Sequence, residues 1–238
     1  MSSLESDKED LIRKRGIILN EKTALLVGAT GLIGNELVQI LLQSENYKEV
    51  IVVGRRTLHL NHPKLTEVLV DFEKLVDYTD RLAADDVFCC LGTTIKKAKS
   101  KEAMYTVDVT YPIKIANLAH LSGAKQFLVI SAMNANLNSV FSYSKMKGEL
   151  EQKLAVIPYA STAILRPSLL LGERSEFRLG ERVGAVVCNT IPFIFKGPLK
   201  KYAAIEGRDV ALAMYHIAQL NKQGLTIYQS EQLHAFSK

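Results

Sequence analysis

Short apolar runs recur along the chain from residue 23 onward, and each is followed by a turn or by a helical pattern. The runs are rich in valine, isoleucine and leucine, which is typical of parallel strands buried on both faces of a sheet. They lie at 23–27, 50–53, 67–70, 86–91, 126–130 and 161–165, and a further strand is expected near 226–229.

Helical patterns separate these runs. Residues 32–43 carry apolar side chains at positions 33, 37, 40 and 41, which lie on one face of a helix. A second helix is expected over 100–121, kinked or interrupted at Pro112. An amphipathic helix capped near Asp209 is expected within 204–220, after a short strand. The alternation predicts an α/β fold, a doubly wound parallel sheet with helices on both faces.

The two ends of the chain depart from this regular pattern. The first 20 residues are polar and are expected to form an arm ahead of a single domain over 21–238. The last third of that domain is less regular, so we expect a small irregular C-terminal region. Its segment 184–199 is apolar but too short to span a bilayer. A pocket lining or core is favoured there over a membrane-surface patch.

Composition narrows the class of protein. Of 238 residues, 47% are hydrophobic and 23% charged, as in ordinary globular proteins, and the net charge is +5. The densest basic stretches, 96–101 and 197–201, are interpreted as solvated loops and helix ends, and we expect no nucleic-acid partner. The three cysteines show neither disulfide nor metal-ligand spacing, and we expect no metal site. With no signal peptide or transmembrane segment in the pattern, a cytoplasmic protein is expected.

A glycine-rich segment, GATGLIG (28–34), ends the first strand and opens the first helix. Gly28 permits a tight turn, Gly31 lets the backbone approach a pyrophosphate, and Gly34 lets the helix pack close to the strand. Free N–H groups at the start of the helix then bind phosphate oxygens. This context predicts a dinucleotide-binding loop, with a plain glycine-rich turn as the alternative.

Two arginines follow the second strand, where an NAD-binding protein normally carries an acid for the ribose 2′-hydroxyl. Arg55 and Arg56 would instead bind a 2′-phosphate through charge-assisted hydrogen bonds, and they can stack on adenine. We therefore expect NADP(H) as the cofactor. The alternative is that one of the two arginines is a plain surface residue.

Three more candidates lie at the ends of later strands. Asp71 either accepts a hydrogen bond from the adenine amino group or caps the turn that begins at Phe72. The turn formed by Leu91, Gly92 and Thr93 would let backbone approach the cofactor ribose. Pro167 either shapes the nicotinamide pocket or only stops the sixth strand.

Tyr143 and Lys147 lie four residues apart in FSYSKMKGELEQ (141–152), a spacing that places both on one face of a helix. An ammonium one turn from a phenol favours phenolate, which suits an acid–base pair. The same spacing also occurs by chance in many helices. Ser131, twelve residues before Tyr143, ends the fifth strand, where it would hold a substrate oxygen near the tyrosine.

Longer motifs make the chain resemble a known family. They include LVGATG (26–31), VGRR (53–56), VDFEKLVDY (70–78), FCCLGTT (88–94), YSKMKGELE (143–151) and LRPSLLLGERSEFRLGE (165–181). In these motifs the chain is similar to the atypical short-chain dehydrogenases/reductases, and most closely to the HIV Tat-interacting-protein-like (TIP30-like) oxidoreductases. The resemblance covers about residues 22–215.

The resemblance implies a Rossmann-type fold that binds NADPH. The implied cofactor contacts, in chain order, are Thr30, Gly31, Leu32, Ile33, Arg55, Arg56, Leu91, Gly92, Leu170 and Arg178. The first four would surround the pyrophosphate, the arginines would meet the 2′-phosphate, and the last two would close on the cofactor. Ser131 stands at the position of the superfamily's catalytic serine, although the segment SAMN (131–134) differs from the family's SSKG-like motif.

The implied activity is hydride transfer between a nicotinamide and a small-molecule carbonyl or alcohol. Tyr143 would donate a proton to the substrate oxygen, Lys147 would hold the nicotinamide ribose, and Ser131 would hold the substrate oxygen. The irregular C-terminal region would form the substrate side. The rival hypothesis is an NADPH-binding regulatory or interaction module that has a protein partner and turns nothing over.

Overall fold

The computed structural model describes residues 22–171 and 203–237. The strands are β1 (Lys22–Val27), β2 (Tyr47–Gly54), β3 (Leu65–Leu69), β4 (Asp86–Cys89), β5 (Gln126–Ile130), β6 (Ser161–Arg166), β7 (Leu170–Leu171), β8 (Ile205–Glu206) and β9 (Gly224–Gln229). Seven of them form one parallel sheet in the order β3-β2-β1-β4-β5-β6-β9, and β7 pairs with β8.

Helices lie between most successive strands of the sheet, although none lies between β2 and β3 and the last helix follows the last strand. The helices are α1 (Leu32–Gln43), α2 (Ile95–Ala98), α3 (Lys101–Tyr105), α4 (Tyr111–Leu121), α5 (Ser142–Ala155), α6 (Gly207–Gln219) and α7 (Ser230–Phe236). A 3-10 helix (Phe72–Arg81) follows β3, and a π-helical turn (Thr106–Thr110) joins α3 to α4. All sheet connections therefore run through crossovers, as parallel strands require.

The sheet buries both of its faces, because alternate strand residues point to opposite sides. Ala24 and Leu26 of β1 join a core formed with α1, α6 and α7. Leu25 and Val27 join a second core formed with the 3-10 helix, α4 and α5. The prediction of a doubly wound, Rossmann-type α/β fold with helices on both faces is confirmed.

Several predicted boundaries differ from the structure: β2 and β3 span Tyr47–Gly54 and Leu65–Leu69 instead of 50–53 and 67–70, and two further differences have a clear cause. The strand expected over 86–91 ends at Cys89, the partner of Val27, because β1 itself ends at Val27 and the chain turns at Gly28 (φ +88°). The N-cap expected near Asp209 is Glu206, since helix α6 already begins at Gly207. Glycine is needed there because a Cβ atom would lie 2.6 Å from Leu32 Cγ. Asp209 falls in the first turn, where its charge suits the helix dipole.

The helix expected over 100–121 is interrupted earlier than at Pro112. The interruption is the π-helical turn at Thr106–Thr110, and Pro112 lies in the first turn of α4, where a missing N–H costs little. The polar arm (1–20), the apolar segment 184–199 and Arg178 lie outside the described residues. The single-domain assignment of 21–238 stays a prediction.

Candidate active site

A cleft of about 1330 Å³ opens at the carboxyl ends of the central strands. Its wall brings together most of the predicted site residues, namely Thr30, Gly31, Leu32, Ile33, Leu91, Gly92, Thr93, Ser131, Tyr143, Lys147, Pro167 and Leu170. Five of the described site residues are not part of this wall: Gly28 and Gly34 belong to the glycine loop, and Arg55, Arg56 and Asp71 lie exposed after β2 and β3. The parallel sheet thus collects residues from distant parts of the sequence at one edge.

The glycine loop has the geometry that its spacing predicted. Gly28 has φ +88°, and a Cβ atom there would lie 2.6 Å from the Cys90 carbonyl carbon. Gly31 is the N-cap of α1, where no side chain caps the helix and no acidic residue occupies the first turn. The first N–H groups of α1 are therefore open to an anion at the cleft wall.

Replacing Gly34 by alanine should prevent this loop from packing. The added Cβ would lie 2.2 Å from the Gly28 carbonyl oxygen, a backbone atom that cannot move without opening the loop. We expect a loss of about 3 kcal/mol or more in unfolding free energy, measured by urea denaturation. Gly54→Ala is the matched control, because its Cβ meets only Arg56 O at 3.6 Å. Equal stability of the two variants would contradict this account.

Lys147 is held in a buried ion pair. Its side chain is 3% exposed, and its Nζ lies 2.9 Å from Oδ1 of Asp108, which is 1% exposed. The same Nζ donates to the Ile130 carbonyl at 3.4 Å. Burial acts to lower the pKa of Lys147, but Asp108 and then Tyr143 act to raise it, and the pKa lies above its ordinary value. Lys147 is therefore an ammonium at neutral pH.

Asp108 is a site residue that sequence reasoning missed. Its second oxygen, Oδ2, accepts a hydrogen bond from the Thr93 N–H at 2.9 Å, so one carboxylate joins the loop after β4 to Lys147. The residue lies in the π-helical turn, a distortion that often marks functional positions. A sequence signal was present: Asp108 stands four residues from both Met104 and Pro112, which are buried. A carboxylate on a buried face requires a partner.

Ser131 belongs to a second buried polar group. Its hydroxyl donates to Glu151 Oε1 at 2.5 Å. Arg166 donates two hydrogen bonds to the same carboxylate, from Nε to Oε1 at 2.9 Å and from Nη2 to Oε2 at 2.5 Å. Ser131 lines the cleft, yet its single proton is directed at Glu151. The Ser131 hydroxyl can therefore accept a hydrogen bond from a ligand in the cleft but cannot donate one.

Tyr143 lies on α5, partly exposed in the cleft wall. The Lys147 ammonium is 6.0 Å from the centre of its ring, at the outer limit of a cation–π contact. The α5 helix is fixed at this point by Gly148, where a Cβ atom would lie 2.5 Å from the Leu137 N atom. The tyrosine is thus presented to the cleft by a helix that packs tightly against the preceding loop.

The alternatives for Asp71 and Pro167 are partly resolved. The Asp71 carboxylate accepts from the Glu73 N–H at 3.0 Å and caps the 3-10 helix, which confirms the capping prediction. Its contact with adenine stays a prediction. Pro167 directly follows β6 and also lines the cleft, so both of its expected roles are compatible.

The remaining predictions concern cysteines, metals and membranes. Burial raises the pKa of the Cys89 thiol to about 11, as suits a core residue, while Cys90 lies at the cleft wall. Over residues 22–171 and 203–237, no three His, Cys, Asp or Glu side chains lie close enough to hold a metal ion. No helix in those ranges has the length and hydropathy needed to span a membrane.

Comparisons with known proteins place this cleft in context. The model of the NAD dependent epimerase/dehydratase family matches residues 24–229. Protein HTATIP2 of Rattus norvegicus is 34% identical over 192 residues, covering 79% of each chain. Protein FMP52, mitochondrial, of Candida albicans is 31% identical and covers 85% of this chain and 90% of its own. Because the name of that relative includes the word mitochondrial, the expected cytoplasmic localisation stays a prediction.

Solved structures share the fold at low identity. MoeE5 in complex with UDP-glucose and NAD superposes with a TM-score of 0.65 at 16% identity, covering 90% of this chain and 80% of its own. UDP-glucose 4-epimerase of Thermotoga maritima has a TM-score of 0.62 at 16% identity, covering 91% and 81%. The chain belongs to the NAD dependent epimerase/dehydratase family, as an atypical short-chain dehydrogenase/reductase of the TIP30-like group.

Proposed function

We propose that this protein is an NADPH-dependent reductase that transfers a hydride to a small-molecule carbonyl compound. One observation carries the proposal. The uncapped N-terminus of α1 and the Tyr143–Lys147 pair, which are more than a hundred residues apart in sequence, line the same cleft. A phosphate-binding helix start beside an acid–base pair is the arrangement that nicotinamide chemistry requires.

The residues present fit a dinucleotide. A side chain at Gly28 or Gly34 would fill the loop, and the first turn of α1 offers N–H groups without a competing carboxylate. Thr30, Gly31, Leu32 and Ile33 would hold the pyrophosphate, and Leu91, Gly92 and Thr93 would lie along the ribose. Relatives of this fold bind NAD, as the MoeE5 complex does. The arginines after β2 favour NADP over NAD here.

The chain's own residues would manage the proton. When bound, NADPH would supply the hydride for the carbonyl carbon, and negative charge would then develop on the carbonyl oxygen. Tyr143 would donate its hydroxyl proton to that oxygen and would regain a proton from solvent. The ammonium of Lys147, fixed by Asp108, would stabilise the phenolate and hydrogen-bond the nicotinamide ribose. Because the Ser131 proton is held by Glu151, its hydroxyl would accept a hydrogen bond from the hydroxyl of the alcohol product and would not donate one to the carbonyl oxygen.

The cofactor preference can be tested at the arginines. Arg55→Asp combined with Arg56→Ala should weaken NADPH binding by roughly 10- to 100-fold, since each charge-assisted hydrogen bond contributes about 1.5–3 kcal/mol and both side chains are exposed. NADH binding should change little. Dissociation constants for both cofactors, from fluorescence titration of the two proteins, check this prediction. An equal loss for NADPH and NADH would contradict the assignment of the 2′-phosphate.

One observation favours the second candidate function, a cofactor-dependent binding module without turnover. The hydroxyl proton of Ser131 is committed to Glu151, so one expected hydrogen bond to substrate is missing. The two functions differ in NADPH oxidation across a panel of aldehydes and ketones, followed by the loss of NADPH absorbance. A Tyr143-dependent rate supports the reductase. Tight NADPH binding with no such rate supports the binding module.

A further inference from the structure

The basic stretch 96–101 occupies a place that its composition did not predict. Lys96 and Lys97 lie in the last turn of α2, and Lys101 begins α3. All three line the cleft, whereas Lys99, in the left-handed conformation between the two helices (φ 68°), does not. The expectation of plain solvated lysines is incomplete, because the backbone turn at Lys99 sends three of the four to the cleft wall.

This wall has a net positive charge. Among the described cleft residues that lie between β4 and β6 in the chain, the single carboxylate is Asp108, and Lys147 neutralises it. No described carboxylate forms an ion pair with Lys96, Lys97 or Lys101. The acidic residues Glu36 and Glu206 belong to α1 and β8, across the sheet from these lysines. A cleft wall of one sign concentrates a ligand of the opposite sign.

The placement of Lys101 is unfavourable for the helix that it begins. A cation at a helix N-terminus opposes the macrodipole, so helix stability does not explain it. The pKa of the neighbouring Glu102 is lowered by hydrogen bonds from its own N–H and from Ser100, and then by the charge of Lys101, so this carboxylate offsets part of the lysine charge. Its side chain lies outside the cleft wall.

The segment that carries these lysines packs on the same face of the sheet as Tyr143. The stretch that carries them continues through α3 into the π-helical turn, where Asp108 binds Lys147. Along the way, Tyr105 accepts a hydrogen bond from Lys153 of α5 at 2.9 Å. Helix α5, which presents Tyr143, therefore contacts α3, the helix that begins at Lys101. The phosphates of the cofactor are assigned elsewhere, to α1 and to the arginines after β2.

We propose that Lys96, Lys97 and Lys101 bind an anionic group of the substrate, so that the cleft selects carbonyl compounds bearing a carboxylate or a phosphate. The inference rests on the proposed reductase function and adds the substrate class to it. A carboxylate and a phosphate share the charge and the acceptor oxygens that an ammonium recognises.

Matched carbonyl pairs test the proposal. The probes are 4-carboxybenzaldehyde with its methyl ester, and glyceraldehyde 3-phosphate with glyceraldehyde, each assayed with NADPH. We expect kcat/KM to favour the anion of at least one pair by about tenfold or more, and Lys96→Gln/Lys97→Gln/Lys101→Gln to remove that preference. Lys99→Gln is the control and should keep it. Which pair responds distinguishes a carboxylate from a phosphate.

Three outcomes distinguish a failure of the lysine site from a failure of the proposed reductase function. Reduction of the neutral and anionic members at equal rates would overturn the inference and leave the reductase standing. A triple variant that loses NADPH affinity but keeps the preference would assign the lysines to the cofactor and also overturn it. If no aldehyde is reduced, calorimetric binding of 4-carboxybenzaldehyde to the NADPH-loaded protein, weakened in the triple variant, would support the lysine site while the reductase fails.

Discussion

Tyr143→Phe should lower kcat for NADPH-dependent carbonyl reduction by roughly 10²- to 10⁴-fold, the usual contribution of a positioned proton donor. The phenyl ring preserves the shape of the cleft wall, and no side chain in the described residues depends on the tyrosine hydroxyl for a hydrogen bond. NADPH affinity should therefore change by only a few fold. Steady-state rates and fluorescence titration of the same preparation separate the two effects.

The matched control is Tyr105→Phe. Tyr105 is also partly exposed and its hydroxyl also has a polar neighbour, the Lys153 ammonium at 2.9 Å, but it lies outside the cleft wall. Its removal should leave kcat and KM near their starting values. If Tyr143→Phe and Tyr105→Phe retained equal rates, the proton donor would have to be another group.

Asp108→Ala should cost about 3–5 kcal/mol of unfolding free energy, because it leaves the buried Lys147 ammonium without its counterion. Thermal or urea unfolding measures this directly. The raised pKa of Lys147 sets the pH dependence. A lysine whose pKa is raised in the folded state stabilises the protein fully below its unfolded pKa and loses this contribution as pH rises through the folded pKa. The difference in unfolding free energy between Asp108→Ala and the parent protein should persist through neutral pH and shrink under alkaline conditions.

A double-mutant cycle isolates the pair. Asp108→Leu with Lys147→Met replaces both charges by apolar groups and should be more stable than either single variant, although inactive. Glu73→Gln is the control, since its ion pair with Lys114 (3.8 Å) lies on the surface and should matter little. Simple additivity of the two buried substitutions would show that Asp108 and Lys147 do not depend on each other.

The sheet and the glycine loop were predictable from the sequence because their signals are local. A buried parallel strand requires a continuous apolar run, and the loop requires glycine at positions 28, 31 and 34 for steric reasons that the structure reproduces. Helix α1 was predicted to the residue, since its apolar period and its glycine cap agree. The ends of β4 and α6 were not, because their limits depend on Val27 and Leu32, which are distant in sequence.

The polar supports of the site were missed for a related reason. Asp108 binds Lys147 39 residues away, and Glu151 binds Ser131 and Arg166 across 20 and 15 residues, so each of these pairings joins segments that are distant in sequence. The lysines of 96–101 are exposed and at helix ends, as predicted, but the cleft that three of them face was not foreseen. The composition of this stretch indicates a solvated surface, and only the left-handed turn at Lys99 reveals which lysines face the cleft.

A crystal structure of the NADPH complex tests the central claim most directly. We predict that the pyrophosphate binds the N–H groups at the start of α1 and that the 2′-phosphate lies beside Arg55 and Arg56. The nicotinamide ribose should lie within hydrogen-bonding distance of Lys147 Nζ. Tyr143 would then face the hydride-bearing side of the ring. A nicotinamide that lies outside the cleft, or that turns its reactive face away from Tyr143, would contradict the account.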